Sequence, residues 1–440
     1  MKVVFETALG SYQVQRLPLR TKQPLQAWDA ADELLLNTLA QQYPEKLTDL
    51  TDKTDKQTSA LLLINDQFGA LATALYQHTP DCWSDSFISH QASEFNIQDN
   101  FAEKQNGEDG DTIQRTVNDT LNYPLNSSRN YRAIKSTEAL QGNYSVVLIK
   151  IPKTLALLEQ QLSTLSQHIS ADTLIIAAGM TKHIHNSTLA LFEKYIGTTK
   201  TSRATKKARL IFSQCDKSQN DPDQQSALIE SRYFCEQLNA ELISYANGFS
   251  RERLDIGARA MLQALEKNDV PNAHNIADLC AGNGVLGLYA VKKLIAQKAF
   301  AGDTEGNQPK DDKLTISFID ESYMAIAAAQ SNFDLLTQSE IDSNIQGHFI
   351  AQDGIRAKKQ NRYDWIICNP PFHIGTSTDT SVAKRMLQQS YQALQVNGQL
   401  WVVANRHLDY ADTIQDLFKN HQIILSNSKF IVISAVKNRA

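Results

Sequence analysis

The sequence predicts an α/β protein of two tandem doubly wound domains, and three observations carry that prediction. At 440 residues the chain is too long for one core and suits two domains of ordinary size. In both halves, short β-branched and apolar runs alternate with longer helical patterns, which implies βαβ units and parallel sheets covered on both faces. The halves also repeat one order of strand ends and turns, as duplication of a single domain would leave them. Two unrelated α/β domains are the alternative.

In the first half, Leu63-Ile64-Asn65-Asp66 leads into Phe68-Gly69-Ala70-Leu71. A strand over 146–149 then ends at Lys150-Ile151-Pro152-Lys153, and residues 173–178 supply a third strand. In the second half, Ile276-Ala277-Asp278 runs into Gly282-Asn283-Gly284. Trp365-Ile366-Ile367-Cys368 ends at Asn369-Pro370-Pro371-Phe372, and residues 400–405 follow a helix as the third strand. This order matches Asp66 to Asp278 and Lys150 to Asn369. The first copy has one glycine in its first turn and Lys-Ile-Pro-Lys in place of Asn-Pro-Pro-Phe, so it reads as catalytically dead. The second copy is longer after the motif, in a Gly/Ser/Thr-rich loop about 373–381 suited to a lid.

Polar inserts at 100–120, 214–226 and 297–313 read as surface excursions, with disorder as the default. A helix pattern near 226–238 predicts a linker over 214–248, between a domain over 1–213 and another over 249–440.

Hydrophobic residues at 42% and charged residues at 21% fit a soluble globular protein. The longest apolar runs, 61–64 and 174–178, fall far short of a membrane span. The start, Met1-Lys2-Val3-Val4-Phe5-Glu6, has no long apolar run or cleavage site, so export is not expected and the cytosol is. Five scattered cysteines without a Cys-x-x-Cys pair indicate neither a disulfide framework nor a zinc site, and no metal is expected. A net charge of −5 and a pI near 6.1 argue against binding nucleic acid with the whole surface. A local basic stretch is present: Lys194, Lys200, Arg203, Lys206, Lys207 and Arg209 occur with no acidic residue between them. A phosphate-binding patch and a solvated loop are both open readings.

A strand that stops near an acidic residue and turns through glycines into a helix brings backbone N–H groups to a ligand. Here the turn is Asp278-Leu279-Cys280-Ala281-Gly282-Asn283-Gly284, in which Asp278, Ala281, Gly282, Asn283 and Gly284 are candidate cofactor contacts. Gly282, Gly284 and Gly287 also match the dinucleotide spacing Gly-x-Gly-x-x-Gly, so a nicotinamide dehydrogenase is a rival. Asp320 and Glu321 end the next strand, where a carboxylate can accept from ribose hydroxyls. Their distance from Asp278 is about twice the usual ~20 residues, and the 297–313 insert accounts for most of the excess. Asp353-Gly354 follows a third strand, and its carboxylate could accept from an adenine amine or simply form a turn.

Asn369-Pro370-Pro371-Phe372 decides between the rivals. It follows a buried strand at the carboxyl edge, where open α/β sheets bind ligands. An exocyclic aromatic amine is a poor nucleophile, because its lone pair is delocalised into the ring. The Asn369 oxygen and the Pro370 carbonyl can accept both amine hydrogens, draw the nitrogen towards tetrahedral geometry and aim its lone pair at a methyl sulfonium. Pro371 stiffens the turn, and Phe372 offers a face to an extruded base. The main contribution is in-line positioning, with no general base of unusual pKa. A structural turn is the alternative for any Asn-Pro pair. His373 is left outside the catalytic set.

These residues resemble the bacterial ribosomal RNA guanine-N2 methyltransferases, whose chains carry two tandem Rossmann-like methyltransferase domains with a degenerate N-terminal one. The similarity covers nearly the whole chain. It is strongest at Ser250-Arg251-x-x-Leu254-Asp255-Ile256-Gly257-Ala258-Arg259, at Cys368 to His373, at Ala404-Asn405-Arg406-His407-Leu408-Asp409-Tyr410 and at Asn65-Asp66-Gln67-Phe68-Gly69-Ala70-Leu71. The last three point to the large-subunit (23S) enzyme rather than its small-subunit (16S) relative. The resemblance implies S-adenosylmethionine as cofactor, with Asp255 and Gly257 in the segment packed over its methionine end and Asn369 beside it. It also implies ribosomal RNA as partner, for which Lys200, Arg203, Lys206, Lys207 and Arg209 of the basic stretch are the candidate contacts; oligomeric state stays open, with a monomer favoured. The sequence departs from the family at Cys280-Ala281, where Gly-Cys is usual, so a side chain enters the cofactor turn and could weaken binding. Two other classes stay open: a DNA-adenine or protein-glutamine methyltransferase, and a non-catalytic RNA-binding protein with two degenerate domains.

Overall fold

The computed structural model describes residues 4–19, 25–51, 60–101, 128–216, 228–300, 313–339, 345–356, 362–371, 381–406 and 410–438. Most of the three polar inserts and nearly all of the loop expected as a lid lie outside the described residues. The chain forms two compact units, residues 1–229 and 230–440.

The first unit runs β1 (Val4–Thr7), β2 (Gly10–Gln13), α1 (Ala30–Gln42), α2 (Pro44–Thr51), β3 (Leu61–Ile64), α3 (Ala70–Ala74), β4 (Asp81–Ser84), α4 (Phe87–Phe101) and β5 (Arg132–Lys135). It continues with β6 (Val146–Lys150), α5 (Leu155–Leu165), β7 (Leu174–Met180), α6 (Asn186–Tyr195), β8 (Thr199–Thr201) and β9 (Ala208–Ser213). The second runs β10 (Glu230–Cys235), β11 (Ala240–Tyr245), α7 (Ile256–Lys267), β12 (Asn275–Leu279), α8 (Val285–Phe300), β13 (Leu314–Asp320) and α9 (Tyr323–Ser339). It ends with β14 (Ile345–Ala351), β15 (Tyr363–Cys368), α10 (Ser381–Ala393), β16 (Leu394–Asn405), α11 (Tyr410–Phe418), β17 (His421–Ser426) and β18 (Phe430–Val436).

Both main sheets have the same order: β5-β4-β3-β6-β7-β9-β8 in the first unit and β14-β13-β12-β15-β16-β18-β17 in the second. They are mixed rather than wholly parallel, since β9 and β18 each run antiparallel to both neighbours. The links from β8 to β9 and from β17 to β18 are too short for the crossover that a parallel pair requires.

Strand residues alternate between the two faces of each sheet. In the second, Ile276, Phe318, Trp365, Ile367, Trp401 and Val403 pack with α7, α8 and α9, while Leu279, Ile319, Ile366, Cys368, Leu400 and Val402 pack with α10 and α11. In the first, Leu61, Leu63, Val146 and Leu148 pack with α1 and α3, and Leu62, Ile64, Val147 and Ile149 with α5 and α6. Each fully buried Leu or Ile contributes about 1.5–3 kcal/mol. Burial on both faces is why the central strands read as unbroken apolar runs.

Register corrects one sequence match and sharpens another. Ile64 pairs with Ile149, and Leu279 pairs with Cys368. Lys150 therefore corresponds to Asn369, as expected, but Asp278 corresponds to Leu63. Asp66 lies in the turn beyond β3, whereas Asp278 sits inside β12, so the first unit has no acid at the Asp278 place. The turns themselves agree: Asn65 and Cys280 have φ of 63° and 61°, and Gly69 and Gly284 have φ of 78° and 83°.

The expected helix near 226–238 is also corrected. Its described part forms β10, which pairs with β11 in an antiparallel hairpin of the second unit. Glu230, Arg232 and Phe234 face solvent while Ser231, Tyr233 and Cys235 are covered, a period of two rather than 3.6. Asn239, left-handed at φ 55°, ends the connecting loop.

Candidate active site

The carboxyl ends of β12, β13, β14 and β15 carry the residues singled out in the second half. Asp278 is fully buried, and its Oδ2 accepts from Gly287 N at 2.8 Å, tying β12 to α8. Burial pushes its carboxyl up to about 8, against the opposing pull of that hydrogen bond. Gly287 is needed at this contact, because a Cβ there would stand 2.7 Å from Ile316 and 2.9 Å from Asp278 Oδ2. Asp278 thus braces the turn from beneath.

Asp320 ends β13 half-buried. Its Oδ2 accepts from Gly282 N and its Oδ1 from Ser322 N, both at 3.0 Å. A carboxylate oxygen offers more than one lone pair, so these bonds to the turn do not by themselves bar it from accepting a ligand hydroxyl. Glu321, beside it, is also half-buried. Cys280 N and Ala281 N donate to Ile319 O, and Gly284 N closes back on Ala281 O at 2.8 Å. Gly282 has φ 54°, and a Cβ on it would meet nothing within 4 Å, so the turn presents open backbone at this residue.

Cys280 enters this turn in the left-handed region, yet its side chain packs with the cluster beneath α10. Its Sγ lies 3.5 Å from Met386 Sδ. A hydrogen bond with Cys368, then burial, holds its thiol well above the usual range. The departure from glycine therefore does not put sulfur over the open Gly282 backbone.

Asn283 turns its side chain into the protein: its Nδ2 donates to Tyr233 Oη at 3.1 Å and Ser244 Oγ at 3.2 Å, which fastens the β10–β11 hairpin to the turn and leaves the backbone as the part that could meet a ligand. Asp353 is buried, and its Oδ1 accepts from Arg385 Nη2 at 2.6 Å. Sequence reading missed Arg385, since no local pattern links residues so far apart on β14's exit and α10. Gly354 follows at φ 72°.

Asn369 follows β15. Its Nδ2 donates to Asp255 Oδ2 at 3.3 Å, and its Oδ1 is buried without a hydrogen-bond partner among the described residues. Asp255 is the N-cap of α7, accepting from Gly257 N and Ala258 N. Pro370 is buried and Pro371 exposed; Phe372 and His373 lie outside the described residues. In the basic stretch Lys194 lies in the last turn of α6, and the rest forms the β8–β9 hairpin of the first unit, with Lys200, Arg203, Lys206 and Lys207 exposed and Arg209 half-covered.

An open glycine turn, carboxylates at the next two strand ends and an orphaned acceptor at the fourth fit S-adenosylmethionine beside an amine. Asp320 and Asp353 would hold its polar adenosine groups, and the turn from Cys280 to Gly284 would lie along it.

Comparison with known proteins agrees. The family model of the methyltransferase small domain matches residues 239–434, and that of the RLMG N-terminal domain matches residues 2–121 and 114–217. The chain is 37% identical to proteins named ribosomal RNA large subunit methyltransferase G in Aeromonas salmonicida and Aeromonas hydrophila, over 99% of this chain and 100% of each relative. A relative of the same name in Psychromonas ingrahamii is 35% identical, over 96% of both chains. A T. thermophilus 16S rRNA N2 methyltransferase, solved with AdoMet and guanosine, shares the fold at a TM-score of 0.63. It is 15% identical, over 100% of this chain and 98% of that one. The second unit is an S-adenosylmethionine-dependent methyltransferase domain, in tandem with a first of the same topology. The chain belongs to the ribosomal RNA large subunit methyltransferase G family.

Proposed function

We propose that the protein methylates the exocyclic N2 amine of one guanine in 23S ribosomal RNA. The observation that carries this reading is Asn369 Oδ1, a buried acceptor at the carboxyl edge of the sheet with no hydrogen-bond partner among the described residues. A buried acceptor left unmade costs about 1–3 kcal/mol, and an amine donor would recover that cost. Full-length similarity to proteins named for the ribosomal RNA large subunit supports RNA as the substrate and the large subunit as its source.

S-adenosylmethionine supplies an electrophilic methyl group. The chain's part is to hold the amine. Asn369 Oδ1 and the Pro370 carbonyl accept its two hydrogens, draw the nitrogen out of conjugation and direct its lone pair. The nitrogen becomes acidic as it gains the methyl, so a weak acceptor suffices to take the proton. Asp320 and Asp353 hold the cofactor, while Asp278 and Gly287 keep the turn rigid. In the first domain, the exposed basic hairpin of Lys200, Arg203, Lys206, Lys207 and Arg209 would meet phosphates.

Mass mapping of ribosomal RNA from cells with and without the protein tests the reading. The expected result is loss of one N2-methylguanosine from 23S RNA. Loss from 16S RNA instead, or transfer by the purified protein to DNA or to protein glutamine but not RNA, would overturn it.

A further inference from the structure

Asn369 can serve an amine only with its oxygen forward. A primary amide has one acceptor end and one donor end of nearly equal size, and a half-turn exchanges them. With Nδ2 forward, Asn369 would oppose the substrate's own N–H groups. Asp255 removes that choice. An ionised carboxylate only accepts, so the amide end facing Asp255 Oδ2, 3.3 Å away, has to be the NH2 group. The same oxygen is fixed by Gly257 N at 2.9 Å and Ala258 N at 3.2 Å, which it caps at the start of α7.

The first domain repeats the device with another side chain. Asp29 caps α1, accepting from Ala31 N at 2.8 Å, and its carboxylate takes Lys150 Nζ at 2.7 Å. Lys150 has the register place of Asn369. A helix cap alone needs no contact with a distant strand end, yet both domains make it. The duplicated frame therefore includes an aspartate that grips whatever side chain stands at that edge.

We infer that Asp255 is a positioning residue, which orients the Asn369 amide so that its oxygen meets the substrate amine. This rests on the reading of Asn369 as the amine acceptor. Asp255→Ser keeps a capping oxygen but is too short to reach Asn369. Asp255→Asn keeps both shape and cap but offers a donor and an acceptor, so either amide orientation is satisfied. Single-turnover methylation of ribosomal RNA should fall roughly 10-fold to 100-fold in Asp255→Ser, and less in Asp255→Asn. Because the resemblance sets Asp255 over the methionine end of the cofactor, the rates are compared at saturating cofactor, with its dissociation constant measured by calorimetry in each variant. In an Asn369→Ala background, Asp255→Ser should cost nothing further, because the residue acts through that amide. Multiplying losses in the double variant would overturn the inference. So would a rise in cofactor dissociation constant that accounts for the lost rate. The wild-type product, read by mass mapping, tests the functional reading separately, and wild-type methylation that does not depend on Asp255 overturns only this inference.

Discussion

Lys150 stands at the place in the first sheet that Asn369 takes in the second, one residue beyond the strand pair that defines each edge. Its ammonium lies 2.7 Å from Asp29 Oδ1 and 2.8 Å from Asp32 Oδ2, and its side chain is 6% exposed. Leu63 replaces the bracing Asp278, and Gln67 stands where Gly282 leaves the backbone open. One frame therefore carries two edges of opposite use. The second keeps an acceptor with no partner among the described residues, while the first is closed by an ion cluster of Lys150 with Asp29 and Asp32.

Lys150→Met should destabilise the first domain by about 3–5 kcal/mol, because buried Asp32 loses its counter-charge. Denaturant unfolding followed by two probes would read this as an earlier transition for one domain. Cofactor affinity should hold, and an unmoved transition would show that the ion cluster does not stabilise the fold.

Asn369→Ala should lower turnover by roughly 100-fold or more, by analogy with the loss of a positioned hydrogen-bonding group. Cofactor binding should change little, since the turn after β12 and Asp320 remain. Methylation kinetics beside calorimetry separate the two effects, and near-normal turnover would take the motif out of the mechanism.

Asp320→Ala should raise the dissociation constant for S-adenosylmethionine, at a cost of about 1.5–3 kcal/mol for hydrogen bonds to a charged group. The variant also frees Gly282 N and Ser322 N, which Asp320 now orders. Calorimetry that finds wild-type affinity would move the ribose contact to another residue.

The doubly wound order and the Asn369 edge were legible because both are written locally. Apolar runs such as Ile276-Ala277 and Trp365-Ile366-Ile367 end at turn residues that can be named from the sequence. Position within those turns was less legible. Asp66 looks like Asp278 in a string of letters, and only the register of β3 against β6 shows that it lies beyond the strand. Long-range partners left no sequence signal: Arg385 on Asp353, Asp255 on Asn369 and Asn283 on the β10–β11 hairpin are separated by dozens of residues or more. The strand at β10 was legible only in part, since Arg232 alternates with Tyr233 but the exposed Phe234 breaks the polar–apolar pattern.

Asp66 makes stability depend on pH. It is buried, and its Oδ2 accepts from Ala72 N at 2.7 Å. Burial pushes its carboxyl from the ordinary 3.8 up to about 7. A raised folded value favours the neutral acid, so its contribution is full below about pH 4 and is lost as pH rises through 7. Asp66→Asn keeps the acceptor for Ala72 and removes the buried charge. Its stability relative to wild type should therefore grow between pH 4 and 8, by roughly 4 kcal/mol at most. Cofactor binding should stay at one per chain. Parallel melting curves across that range would contradict the account of Asp66.

The basic hairpin tests how a net acidic protein holds a polyanion. Lys206 and Lys207 form its tip, with φ of 48° and 63°, closed by reciprocal 2.8 Å hydrogen bonds between Thr205 and Ala208. Such two-residue turns favour Asn-Gly, so two lysines here trade backbone ease for charge at an exposed tip. Lys206 already pairs with Glu33 at 2.8 Å, an exposed contact of little worth that leaves Lys200, Arg203 and Lys207 as the better probes. Replacing those three with glutamine should weaken RNA binding across unrelated sequences. It should also flatten the dependence on salt by about 0.7–0.9 per lost phosphate contact, because fewer counterions are released. Cofactor affinity should not move, since the cofactor turn belongs to the other domain. Filter binding at several salt concentrations gives the slope, and an unchanged slope would make the hairpin a solvated turn that touches no phosphate.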